Sequence, residues 1–205
     1  CYIFYRAIFT KKEPEVAISK PTGAIYSVII GLGAGGISSI WLNVIYYLAE
    51  YSEFLAKQVK GFDTLYDDME NGAYIWLFLA IVVVGPIIEE ILFRGIIFSS
   101  LENVTDVSWL PVIVTGVMFG VWHGSFIQGV YTSIVGIILT YYMKKCRSLV
   151  LVALAHGVNN ISGTLPPSLD TDLNNMILNI LAYVCIIPAL IILYRLHRKS
   201  RKNTY

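Results

Sequence analysis

Glu89 and Glu90 stand side by side in an apolar run from Tyr74 to Phe98, with Arg94 shortly after them. Carboxylates take up and return protons. Inside a membrane-spanning segment they are costly, usually face a protein interior, and mark a functional site by default. The helix period separates the two. Glu90 and Arg94 are four apart and share a face, so an ion pair between them would lower the cost of burying both. Glu89 points about 100° away from Glu90 round a helix, which leaves it as the spare carboxylate. Other apolar runs carry His123, with Phe119 four residues before it, and His156, with Asn160 four residues after it. A free carboxylate, two imidazoles and an amide are the parts needed to activate a water and to hold a developing oxyanion.

Each of these residues has a structural reading as well. Glu90 and Arg94 alone can be a buried structural pair. His123 beside Trp122 can be an interfacial residue, and His156 and Asn160 can be interhelical hydrogen-bonding groups. The weight lies in their joint presence on three predicted helices.

Three short patterns carry a family resemblance. Glu89-Glu90-Ile91-Leu92-Phe93-Arg94 resembles the E-E-x-x-x-R motif of the CPBP intramembrane proteases, Phe119-Gly120-Val121-Trp122-His123 the F-x-x-x-H motif, and His156-Gly157-Val158-Asn159-Asn160 the H-x-x-x-N motif. That group contains type II CAAX prenyl endopeptidases and bacteriocin-processing or self-immunity (Abi-like) proteins. The resemblance covers about residues 72–165. It implies an intramembrane endopeptidase acting on a membrane-associated peptide or on the C-terminal part of a lipidated protein. It also implies the same division of labour as the helix period: Glu89 as general base with His123, His156 and Asn160 as oxyanion donors, and Glu90, Arg94 and Phe119 in support. No cofactor is assigned. A divalent metal such as zinc is the open alternative, held by Glu89, His123 and His156 with one free position. The alternatives to an enzyme are a membrane peptide-binding or immunity protein without catalysis, and a small proton-coupled transporter. The lack of a visible inverted repeat counts against the transporter.

These residues need helices to position them. The chain has 205 residues, 56% of them hydrophobic and 14% charged, with mean hydropathy +0.66. Soluble domains average about 45–50% apolar and roughly 25% charged residues, so the composition points to an all-α, polytopic transmembrane bundle forming a single membrane domain over 1–205. Net charge of +1 gives no nucleic-acid footprint. Cys1, Cys146 and Cys185 lack metal-ligand or disulfide spacing. The chain begins with Cys rather than Met, and nothing at its start reads as a cleavable signal peptide. Six runs are long enough to span or nearly so: 24–49, 72–101, 109–123, 126–143, 148–165 and 173–196, with 1–9 a remnant of another helix or an interfacial segment. Pro86 predicts a kink just before the acids. Gly31-Leu32-Gly33-Ala34-Gly35-Gly36 matches G-x-G-x-x-G in form, but without a strand before it the small residues predict close helix packing. The polar connection 50–71 is in part an amphipathic surface helix.

Lys and Arg mark cytoplasmic connections. Lys11, Lys12 and Lys20, then Lys144, Lys145 and Arg147, then the tail 195–202 all fall on one side, and the acidic connections 50–71 and 166–172 on the other. That predicts a multi-pass protein of the cell membrane, in contact with lipid, with a site expected to be reached from the cytoplasmic side. Counted from Val104, Glu89 and His123 lie at depths that differ by roughly 6 Å. His156 joins them only if the turn near Val104 reaches further out than the one at Arg147.

Overall fold

The computed structural model describes residues 13–70, 73–161 and 163–202, with only the backbone described for 65–70 and 202. The expected remnant at 1–9 lies outside the described residues. The chain is a helical membrane bundle: α1 (Lys20–Ala49), α2 (Glu53–Glu70), α3 (Tyr74–Val104), α4 (Leu110–Trp122), α5 (Phe126–Cys146), α6 (Leu149–Ile161) and α7 (Asp172–Lys202). Helices α1, α3, α5 and α7 are long and apolar enough to cross a membrane. The other two expected spans, α4 and α6, have 13 residues each. At about 1.5 Å per residue they are roughly 20 Å long, short of the roughly 30 Å hydrocarbon core. The connection after α1 is more ordered than expected, with α2 filling 53–70.

Local chemistry sets several of the ends. Ser19 caps α1 by accepting the Thr22 N–H (3.3 Å), with Pro21 in the first turn, and Ser125 caps α5 by accepting the Gln128 N–H (3.4 Å). Arg147 closes α5 in the left-handed region (φ 49°), and its guanidinium grips Glu102 through two hydrogen bonds of 2.6 and 3.0 Å.

Helix α1 runs through the middle of the bundle, against α7, α6, α5 and α2. Lipid tails offer no hydrophobic drive between helices, so close packing has to hold them. The glycine-rich stretch does this. A Cβ on Gly31 would lie 2.4 Å from the Ala155 carbonyl on α6, and one on Gly36 would lie 2.5 Å from the Ala182 carbonyl on α7. Large apolar side chains such as Ile88, Val121, Val150 and Ile187 face outward, as expected of a surface solvated by lipid. The segment before α1 straps the ends of α5 and α7. Val16 donates its N–H to the Lys145 carbonyl (3.1 Å), and Glu15 accepts from Lys145 (2.5 Å) and Ser200 (2.6 Å).

Two outcomes follow. Gly36→Leu is expected to lower the detergent-unfolding midpoint by the equivalent of about 1–3 kcal/mol. Gly61→Ala on α2, where an added Cβ meets nothing within 4 Å, is expected to be neutral or to stabilise by up to about 1 kcal/mol; equal losses would sink the packing account. The strap has a pH signature. Burial pushes the Glu15 carboxyl up, but hydrogen bonds from Lys145 and Ser200 and the charges of Lys145 and Lys144 outweigh it and hold the group below its usual range. Its stabilisation is therefore full above the ordinary carboxylate range and lost as pH falls through the folded value. Thermal midpoints measured from neutral to acid pH should fall less steeply in Glu15→Gln than in the wild type.

Candidate active site

The backbone that carries the carboxylates is irregular in a way Pro86 explains. α3 consists of α-helical stretches at 74–78, 85–90 and 98–104 separated by π-helical turns at Leu79–Val84 and Ile91–Ile97. Where a kink was expected, the helix widens on both sides of Gly85–Glu90. Such turns are rare and often occur at functional sites. In the first π turn Gly85 donates its N–H to the Ala80 carbonyl. The next bond in that register would run from residue 86 to Ile81, and proline has no N–H to give. Asn160 of α6 fills the vacancy: its Nδ2 donates to the Ile81 carbonyl at 2.9 Å. Asn159 in turn donates to Asn160 Oδ1 at 2.8 Å, fixing the amide.

The two carboxylates have different surroundings. Glu90 is buried and its Oε1 accepts from Arg94 Nη1 and from His156 Nδ1, both at 2.8 Å. Arg94, also fully buried, further donates to Thr140 Oγ1 (3.2 Å) and the Gly136 carbonyl (3.0 Å) on α5, and lies 4.5 Å over the Phe119 ring of α4. Glu89 is partly exposed, with 27% of its side chain accessible, and lines a cavity of about 540 Å³ together with His123, His156, Asn160 and Phe119. Its Oε2 is 3.7 Å from His156 Nε2.

Hydrogen-bond chemistry fixes the tautomers. A carbonyl oxygen only accepts, so the 2.8 Å contact between His123 Nδ1 and the Phe119 carbonyl puts a proton on Nδ1. His156 Nδ1 likewise faces a carboxylate oxygen that already accepts from Arg94. Neutral imidazoles so held keep their lone pair on Nε2. His156 can therefore donate from Nε2 only after gaining a second proton, next to the Glu89 carboxylate. Asn160, with one N–H on Ile81, keeps one more for a ligand.

Phe119 stands between the histidines, its ring centroid 4.8 Å from that of His123 and 5.5 Å from that of His156. Among the described residues no three His, Cys, Asp or Glu side chains come together closely enough to hold an ion. The three-ligand set expected as an alternative, Glu89, His123 and His156, does not fit this arrangement.

His156 reaches the carboxylates although it lies nine residues from Arg147 while Glu89 lies 13 from Glu102, the residue that Arg147 grips. Along that stretch of α3 the π turn at Ile91–Ile97 winds more residues into each turn, which shortens the arm. The residues that line the cavity are not spread evenly along the helices. Each helix contributes the part nearest the 50–73, 123–125 and 162–171 connections: Ser38 on α1, Ile81 on α3, His123 after α4, Gln128 on α5, Asn160 on α6 and Asn179 on α7. The short helices α4 and α6 end beside it, and non-helical backbone at membrane depth is tolerated where it lines such a cavity. The basic connections lie at the opposite end.

Residues 71–162 match the family model of Rce1-like type II CAAX prenyl endopeptidases. That Rce1-like segment contains all seven residues singled out by spacing. A stretch of 99 residues is 29% identical to "Uncharacterized protein YyaK" of Bacillus subtilis (strain 168), covering 43% of this chain and 33% of that protein. A stretch of 134 residues is 23% identical to "Putative membrane peptidase YdiL" of the same organism, covering 61% of this chain and 54% of that one. The chain spans between a third and just over half of the length of these relatives. No solved structure matches it at a significant level.

Sequence spacing missed the role of Asn159 and the polar α5 face of Gln128, Thr132, Gly136 and Thr140. The four-residue step from Thr132 to Gly136 to Thr140 was the available signal. The buried pair yields a stability test. Arg94→Met leaves Glu90 buried without its cation and is expected to cost about 3–5 kcal/mol in detergent unfolding. Glu89→Gln, at the cavity surface, should change stability by no more than about 0.5 kcal/mol. A larger loss for Glu89→Gln than for Arg94→Met would reverse the assignment of the two carboxylates.

Proposed function

We propose that the protein is an intramembrane endopeptidase of the Rce1-like type, cleaving a membrane-associated peptide or the C-terminal part of a lipidated protein, with the reaction housed in 72–165. One observation carries the reading: of two adjacent carboxylates, Glu90 is consumed by Arg94 and His156, while Glu89 is left facing a polar cavity 3.7 Å from His156 Nε2. A structural pair needs no second carboxylate, whereas hydrolysis needs a base that is not already neutralised.

In this mechanism Glu89 takes a proton from a cavity water, and the water oxygen attacks the scissile carbonyl. His123 Nε2 accepts the second hydrogen bond of that water and sets its direction. The carbonyl becomes an oxyanion, which receives the spare N–H of Asn160 and the Nε2–H of protonated His156. Collapse of the intermediate breaks the C–N bond, and the proton held by Glu89 goes to the leaving amine. Glu90 and Arg94 act as positioning residues, holding His156 by Nδ1. No step is routed through a metal. The protein is expected in the cell membrane, with lipid as solvent and no nucleic-acid partner.

Purified protein mixed with candidate membrane-bound peptides provides the test. Glu89→Gln should lower cleavage by about 100-fold or more with unfolding unchanged, and His123→Ala should also impair it. Undiminished cleavage in both variants would overturn the assignment of these residues, and no cleavage by the wild type would favour a binding or immunity protein. Loss of cleavage in a chelator, restored by one added metal, would bring an ion into the mechanism.

A further inference from the structure

The basic residues near the ends of α5 and α7 fall into two sets. One set is committed to the fold. Lys144 donates to Ser108 Oγ (2.6 Å), Lys145 to Glu15 (2.5 Å) and Ser200 (3.1 Å), and Arg147 to Glu102. Arg195 and Arg198 of α7 form the other set. Both are exposed, and neither has an ion pair or a side-chain hydrogen bond among the described residues. Lys199 beside them reaches the Ala17 carbonyl at 3.5 Å, the far limit of a hydrogen bond. Glu15, the carboxylate of the strap at this end, already receives Lys145 and Ser200.

Helix α7 sets these cations at the edge of a lipid-facing surface. Ile192, Leu196 and Ser200, four apart, are buried against the bundle, so the helix period turns their neighbours outward. Ile191, Tyr194, Arg195, Arg198 and Lys199 line a cleft of about 510 Å³ on that outer side. Toward the middle of the helix the surface continues through Ile187, which is 68% exposed. The cleft thus joins an apolar wall to a tyrosine, a residue that settles where hydrocarbon meets headgroup. Beyond the tyrosine come three cations, from Arg195 to Lys199 within about 6 Å of helix axis. Basic residues in a last helical turn also complement the helix dipole, and Lys and Arg near span ends help set orientation. Neither effect needs the cations to share a cleft with lipid-facing side chains.

We propose that this cleft binds an anionic phospholipid, its headgroup phosphate held by Arg195, Arg198 and Lys199 and an acyl chain lying along Tyr194, Ile191 and Ile187. A guanidinium presents paired N–H donors that match phosphate oxygens. Each basic residue near an anionic lipid surface contributes about fivefold in binding. A zwitterionic lipid carries the same phosphate, but its own ammonium is repelled by the three cations, so the cleft discriminates by net headgroup charge. A free phosphate ion meets the cations and leaves the apolar wall unused. The lipid site is independent of catalysis, because none of its residues lines the cavity that holds Glu89.

Native mass spectrometry of the full chain tests this. The protein is purified in a neutral detergent and mixed with equal amounts of phosphatidylglycerol and phosphatidylcholine of the same chain length. The wild type is expected to retain phosphatidylglycerol over phosphatidylcholine by about 10-fold or more. Arg195→Gln with Arg198→Gln should bring that preference to within about threefold. Lys57→Gln with Lys60→Gln, exposed residues of α2 removing the same charge, should leave it unchanged. All three proteins should share one detergent-unfolding midpoint, since the four side chains are exposed. Equal retention of the two lipids by the wild type overturns the proposal. So does an equal loss in both double variants, which would reduce the effect to net charge. Displacement of phosphatidylglycerol by millimolar inorganic phosphate would overturn it as well, by assigning the cleft to a free anion.

Discussion

A guanidinium with no access to solvent dominates this structure. An unpaired Arg94 at this depth would be untenable, since an isolated buried charge is among the most costly features a protein can carry. The chain meets the cost from three helices at once: Glu90 on α3, Thr140 and the Gly136 carbonyl on α5, and the Phe119 ring on α4. His156 extends the network to α6 by donating to the same carboxylate oxygen. Satisfying one cation therefore fixes the mutual placement of four helices, and the polar cavity forms beside the result. The network is not ideal for stability. Glu90 Oε2 is buried without a hydrogen-bond partner among the described residues. A local violation of that kind is expected where function rather than stability shapes a site.

Much of this was legible in the chain. The four-residue step from Glu90 to Arg94 is a helix-period fact and needed only a helix to become an ion pair. The glycines of α1 were readable as packing residues because no strand or βαβ pattern accompanied them. Other features depend on distances the sequence does not encode. His156 touches both carboxylates because Arg147 grips Glu102 and the second π turn shortens α3, and neither has a signature in hydropathy. Pro86 was legible as a disturbance but not as a π turn, since the outcome depended on Asn160 arriving from another helix to satisfy Ile81. A run of apolar residues gives the presence of a span but not where the helix stops, and α6 ends at Ile161 inside the run 148–165.

The tryptophans of α4 have a consequence for the membrane itself. Trp109 and Trp122 bracket the helix, both more than half exposed, and tryptophan settles at the boundary between hydrocarbon and headgroup. They stand thirteen positions apart along the helix, roughly 20 Å, against the roughly 30 Å of an average hydrocarbon core. A bilayer meeting a short hydrophobic belt adapts by thinning. Thinning of that kind beside α4 would draw the headgroup layer inward, toward the level of His123. The lipid, shaped by the length of one helix, would then border the cavity.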